Sequence, residues 1–321
     1  VDFIDRTVKT GRPFFLHASY NAPHYPLHAP PEEIAKYRGK YLKGWEVLRK
    51  ERHERQVAMG LVDPKWQLPE ADPEVPEWES TDHKEWNDHR MAVYAAMIDR
   101  MDQGIGRILD QLDAAGVAEN TLVMFLSDNG GCAETPGGDD PNRVPGVKEF
   151  YTHCGPGWAW AQNTPFRRFK QYVHEGGIST PLVVRWPGVV EANSMTHQVG
   201  HIIDVLPTCA EIAGAKYPQE HSGHEILPVE GLSLLPVFKG EEREAHETLY
   251  WEWSGNRAVR EGDWKLAWDK KVRRWELYDL KADRTETNDL AAEKPQRVER
   301  MSKLWFAWAE ETGVKVRGTN R

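Results

Sequence analysis

The sequence predicts an α/β protein: a mainly parallel sheet sandwiched by helices, followed by a small C-terminal antiparallel sheet with one helix. Three observations carry this expectation. An amphipathic helix feeds directly into a fully apolar run at 121–126, which is half of a βαβ unit. Further strand-sized apolar runs at 14–18 and 181–186 suit strands buried on both faces. After about Leu235 the pattern changes to short strand-like runs separated by Gly or charged turns, as antiparallel pairing requires.

In chain order, the apolar run at 13–18 is followed by Asn21-Ala22-Pro23-His24-Tyr25-Pro26. Prolines at 23, 26, 30 and 31 keep that stretch out of regular structure. A polar His24 in a Pro-stiffened loop after a buried strand marks a candidate site. Residues 32–61 read as charged helix and 64–76 as a Pro- and acid-rich loop. A long helix is expected from Thr81 or Asp82 as N-cap, with the apolar stripe Met91, Tyr94, Ile98, Met101, Ile105, Ile108, Leu112 and a stop at Gly116. The apolar strand at 121–126 then runs into Ser127-Asp128-Asn129-Gly130-Gly131. Asp128 and Asn129 thus stand at a strand's carboxyl end, where sheets of this kind hold ligands. Residues 132–162 read as a long functional loop, and 204–213 as a short helix. Beyond it, strands are expected at 248–253, 257–260, 263–268 and 275–279, with a closing helix over 295–311. Two units result, 1–235 and 236–321.

The chain has 321 residues, 40% apolar and 28% charged, with net charge -9 and a mean hydropathy of -0.67. This is a globular composition. The acidic balance excludes a broad nucleic-acid-binding surface, and no apolar run approaches the roughly 20 residues that cross a bilayer. The 14 tryptophans include Trp158 and Trp160, which admit two readings, core packing or sugar-stacking platforms. Cys132, Cys154 and Cys209 show neither CxxC nor zinc spacing.

Four features carry chemistry. Asp128 and Asn129 offer a carboxylate and an amide oxygen beside two glycines, which suits Ca²⁺ or Mg²⁺; a turn without a metal is the alternative. His24 could serve as a general acid or be incidental. In the segment 166–177, Lys170 and His174 stand four apart, as on one helix face, and Arg167 and Arg168 add positive charge. An anionic sulfate or phosphate would be matched there, although as a bare charge cluster a solvated surface is the favoured reading. Asp139-Asp140 reads as a structural turn rather than a metal pair.

Four ordered segments resemble the sulfatase family of the alkaline-phosphatase superfamily. They are Pro-Phe-Phe-Leu-His-Ala-Ser-Tyr-Asn-Ala-Pro-His-Tyr-Pro-Leu (13–27), Leu-Ser-Asp-Asn-Gly-Gly (126–131), Asn-Thr-Pro-Phe-Arg through Lys170 to His-Glu-Gly-Gly-Ile and Pro-Leu (163–182), and the stretch 275–290. The resemblance implies an alkaline-phosphatase-like fold and hydrolysis of a sulfated small molecule or glycan. It implies Asp128 and Asn129 as ligands of a divalent cation, usually Ca²⁺, with Mg²⁺ as the other candidate. Lys170 would contact the sulfate and neutralise the leaving oxygen, His24 would donate to that oxygen, and His174 would face the substrate. Periplasmic or extracellular placement is implied as well.

The chain departs from the family pattern in one respect. The family's formylglycine nucleophile is made from the Cys or Ser of a C/S-x-P-x-R motif, and none of Cys132, Cys154, Cys209 or any serine here fits it. The expectation is a C-terminal portion that lacks the nucleophile, two metal aspartates and the first strands of the sheet, inactive alone. A phosphonate or phosphodiester hydrolase of the same superfamily, and a non-catalytic glycan- or anion-binding protein, are the alternative readings.

Overall fold

The computed structural model describes residues 1–315; residues 316–321, the end of the expected C-terminal unit, lie outside the described residues. The first half is helical. A short α1 (Asp2–Val8) precedes the His24 loop, and the charged stretch that follows divides into α2 (Pro31–Ala35) and α3 (Gly44–Ala58). The long helix α4 spans Lys84–Ala114. It begins after His83, not at Thr81 or Asp82, because His83 takes a left-handed backbone (φ 55°) that the helix cannot include.

The face that α4 buries also differs from the expected stripe. Ala92, Val93, Ala96 and Met97 are buried, whereas Ile98 is exposed. The small residues on that face let α2 and the cluster of Trp45, Trp78 and Trp158 approach closely. Those three indoles meet with ring centroids 4.8 to 5.6 Å apart, contacts worth about 0.5–1.5 kcal/mol each beyond their area. Trp158 and Trp160 lie on α5 (Pro156–Gln162), a helix at the end of the expected loop, and both are buried. Their packing reading therefore stands and the sugar-platform reading falls.

The expected parallel sheet is not seen among the described residues. Strand β1 (Val123–Leu126) runs antiparallel to β2 (Leu182–Arg185), with Phe125 opposite Val183. These two strands form a sheet of their own, and 13–18 adopts no strand at all. The apolar patterning was meant for burial, yet Phe15, Phe125 and Val183 are 70%, 44% and 58% exposed. Phe14 and Val123 pack against Ile4 and Leu112, but with no further strand paired to these runs here, their other apolar side chains stay open.

Between the two strands lies α6 (Glu175–Ile178), and after them α7 (Val205–Ile212), the small pair β3 (Glu220–His221) and β4 (His224–Glu225), and α8 (Leu235–Phe238). The C-terminal part follows the expectation closely. Strands β5 (Thr248–Trp253), β6 (Asn256–Glu261), β7 (Trp264–Asp269) and β8 (Arg274–Asp279) form an antiparallel meander. Helix α9 (Pro295–Glu311) lays Met301, Trp305 and Ala309 on Val259, Leu266 and Leu277. The other face of this sheet packs Ala258 and Ala267 against Val173, so it touches the segment that carries Lys170.

Candidate active site

Two double glycines set the geometry. A side chain on Gly130 would meet the carbonyl oxygen of Gly176 at 1.8 Å, and one on Gly177 would meet that of Tyr172 at 2.0 Å. Only bare backbone allows this approach. Gly130 N–H donates to the Gly177 carbonyl (3.1 Å) and Lys170 N–H to the Gly131 carbonyl (3.0 Å). Asn163 completes the joint: its Oδ1 accepts from Gly131 N–H (2.7 Å) and its Nδ2 donates to the Arg168 carbonyl (3.1 Å). The loop bearing Asp128 and Asn129 is thereby fastened to the segment bearing Lys170. Asn163 opens the 163–182 motif, but its part in this joint is not legible in the sequence, because a joint between two loops leaves no periodic signal.

The segment 166–174 is not a helix. Arg168 and Gln171 take left-handed backbones (φ 63° and 79°), and helix forms only from Glu175. Lys170 and His174 therefore do not share a helix face. Lys170 points to the His24 loop, and its Nζ stands 2.9 Å from His24 Nε2. An ammonium only donates, so Nε2 accepts and His24 Nδ1–H donates to the Tyr25 carbonyl at 2.8 Å. Glu134 Oε2 lies 3.8 Å from the same Nζ and its Oε1 accepts from Gln171 Nε2 (2.6 Å). Glu134 was not singled out in the sequence; a lone acid in a Gly-rich loop carries no pattern.

His174 is 0% exposed. Its Nε2–H donates to Glu276 Oε2 on β8 at 2.8 Å, so it faces the C-terminal sheet and not the His24–Lys170 pair. Burial raises the Glu276 carboxyl, but the hydrogen bond from His174, with Arg167 and the Tyr278 hydroxyl nearby, holds it down at about 2. Neighbouring groups extend the clamp. Lys265 Nζ reaches Glu175 Oε1 (2.6 Å) and Glu286 Oε1 (2.8 Å). Arg168 Nη2 donates to Asp269 Oδ2 (2.9 Å), and Asn256 Nδ2 to the Gln171 carbonyl (2.7 Å). Burial acts to raise the Glu175 carboxyl, but Arg284 and Lys265 hold it far below the carboxylate range. These buried bonds fix the backbone on both sides of Lys170.

Asp128 is exposed and Asn129 half-buried. Their oxygens fit a hard cation by type. Among the described residues, however, no group of three or more His, Cys, Asp or Glu is placed to hold an ion. Two donors fall short of the six to eight that Ca²⁺ takes, so the residues present do not make up a cation site. Asp139 is spent on Arg90 (2.8 Å) and His153 (3.3 Å), and Asp140 caps the Asn142 turn, as expected of a structural element. All three cysteines are free thiols.

The chain thus joins a helical part with a two-stranded ribbon to an antiparallel meander, and brings Lys170 and His24 together beside the Asp-Asn-Gly-Gly loop. Comparison with known proteins gives the family. The family model Sulfatase matches residues 1–215, and N-sulphoglucosamine sulphohydrolase, C-terminal, matches 166–307. An uncharacterized sulfatase of Schizosaccharomyces pombe is 32% identical over 94% of this chain and 58% of its own length. An arylsulfatase of Klebsiella aerogenes is 30% identical over 74% of this chain and 54% of its own. The crystal structure of Ps i-CgsB superposes with a TM-score of 0.64 at 23% identity, covering 96% of this chain and 52% of that one. The phosphonate monoester hydrolase of Agrobacterium radiobacter gives 0.53 at 20% identity, over 97% and 58%. The chain belongs to the sulfatase family. It spans about half the length of the curated relatives it matches.

Proposed function

We propose that the full-length protein carrying this chain hydrolyses sulfate esters, with His24 and Lys170 on the leaving-group side. The observation that supports this most directly is the 2.9 Å contact between Lys170 Nζ and His24 Nε2, groups 146 positions apart in sequence. Lys170 donates to the sulfuryl and leaving oxygens, stabilising charge that develops there. Its hydrogen bond to His24 Nε2 gives a path by which a proton can be held at, and passed toward, the leaving oxygen. The Tyr25 carbonyl fixes the imidazole orientation. His174 acts as a positioning residue through Glu276.

Asp128 and Asn129 are proposed as two ligands of a Ca²⁺ or Mg²⁺ ion whose remaining ligands, like the formylglycine nucleophile, none of these 321 residues supplies in the family pattern. The exposure of Phe125 and Val183 supports the companion proposal that further strands complete a parallel sheet there. No helix among the described residues is long and apolar enough to cross a membrane; the family resemblance supports a periplasmic or extracellular site of action.

The experiment is sulfate release by the full-length gene product from aryl and glycan sulfates, followed by ion chromatography. His24→Ala and Lys170→Ala should each lower kcat by roughly 10²–10⁴-fold. Undiminished rates in both variants, or a strong preference for phosphodiesters over sulfate esters, would overturn the reading. The phosphodiester outcome is the phosphonate-hydrolase alternative. Sulfate-ester binding without turnover by the formylglycine-bearing protein is the non-catalytic one.

A further inference from the structure

Beside His24 lies a cavity of about 390 Å³, lined by Tyr25, Arg143, Lys148, Glu149 and Tyr151 over the Gly137-Gly138 backbone. The volume falls within the range of about 300–1,000 Å³ typical of small-molecule sites. Its position is fixed by the site already described. Tyr25 follows His24 and accepts its Nδ1–H, while Leu27 N–H donates to the Thr152 carbonyl at 3.0 Å and stitches the His24 loop to this wall. The cavity therefore adjoins the loop that carries His24.

The chemistry of the lining is specific. The rings of Tyr25 and Tyr151 meet edge to face at 6.2 Å. Two cations stand at the rim in a chain of net charge -9. Arg143 is anchored with its guanidinium 4.5 Å over the Phe150 ring, and Lys148, 88% exposed, has Glu149 3.7 Å away. The other acids of this loop are engaged elsewhere: Asp139 with Arg90 and His153, Asp140 with Asn142. Aromatic walls with two cations suit a ring that carries an anionic substituent.

The geometry points to a subsite for a leaving group that bears a second anion, a sugar ring carrying a carboxylate or a further sulfate besides the ester that is cleaved. The inference rests on the sulfatase reading and names its substrate class. The ring lies against Tyr25 and Tyr151, and its second anion meets Arg143 and Lys148.

The test measures kcat/KM of the full-length protein on a monosulfated neutral sugar and on the same sugar with an added carboxylate or sulfate. An aryl sulfate serves as control. Wild type should prefer the doubly anionic substrates. Exposed ion pairs are individually weak, so Lys148→Ala should lower that preference about threefold, and Lys148→Glu with Arg143→Ala about tenfold or more. Aryl sulfate hydrolysis should stay unchanged, and the preference should fall with added salt. The carboxylate and sulfate arms separate the two sources of charge. Because Lys148 is nearly fully exposed, its substitution leaves the fold intact. Wild-type indifference to the second anion, or a preference that survives Lys148→Glu, overturns the inference. Failure to cleave any sulfate ester, the aryl control included, overturns the sulfatase reading itself.

Discussion

Glu276→Gln removes a charge from the clamp behind Lys170 while keeping the side-chain shape. The carboxylate accepts from His174 Nε2 at 2.8 Å and from the Tyr278 hydroxyl at 2.9 Å, and the carboxyl titrates at about 2 against the usual 4.5. That displacement corresponds to about 3 kcal/mol of preference for the charged form in the folded state. The folded-state value is the lower one. The stabilisation is therefore complete above pH 4.5 and is lost as the pH falls through about 2. Urea denaturation of wild type and variant, followed by tryptophan fluorescence, should show Glu276→Gln less stable by about 3 kcal/mol at pH 7. The gap should narrow by about 1 kcal/mol between pH 5 and pH 3.5, because the unfolded wild-type chain, titrating near 4.5, takes up the proton there while the folded carboxylate stays ionised. A gap that stays constant over this range would refute the electrostatic account, leaving only a defect of shape.

Two further perturbations probe the same framework. Lys265→Met strands Glu175 and Glu286 in a fully buried place, since the ammonium is 0% exposed, and should cost about 3–5 kcal/mol in thermal or chemical denaturation. A loss below about 0.5 kcal/mol would show that the two carboxylates do not depend on Lys265. Gly130→Ala sets a methyl against the Gly176 carbonyl, 1.8 Å away, and should destabilise by roughly 1–3 kcal/mol or more. In the full-length protein it should also shift the Asp128–Asn129 loop and lower sulfate release. Unchanged stability and activity together would show that the two glycine pairs are not interlocked.

The C-terminal meander was legible because every level of the sequence agreed. Turn residues such as Gly255 and Gly262 sit between alternating runs, and α9 presents one apolar stripe to the sheet. The helical expectation for 166–174 failed for a physical reason. Spacing alone put Lys170 and His174 on one face, but Asp72, Asn256, Asp269 and Glu276 come from distant parts of the chain to bond this segment. Those bonds overrule local preference and hold Arg168 and Gln171 left-handed. Of the site residues, His24 and Lys170 were readable as a pair only through family motifs; their contact is a product of tertiary packing. The apolar run of β1 was visible, but its partner and direction were not, since pairing direction leaves no trace in composition.

The two-stranded ribbon has a consequence for handling the molecule. Phe125 and Val183 lie opposite each other on open strands, with Leu182 and Phe15 also exposed. Backbone donors and acceptors along such edges, flanked by apolar side chains, are templates for another strand. In concentrated solution that flank is where one copy of this polypeptide would adhere to the next.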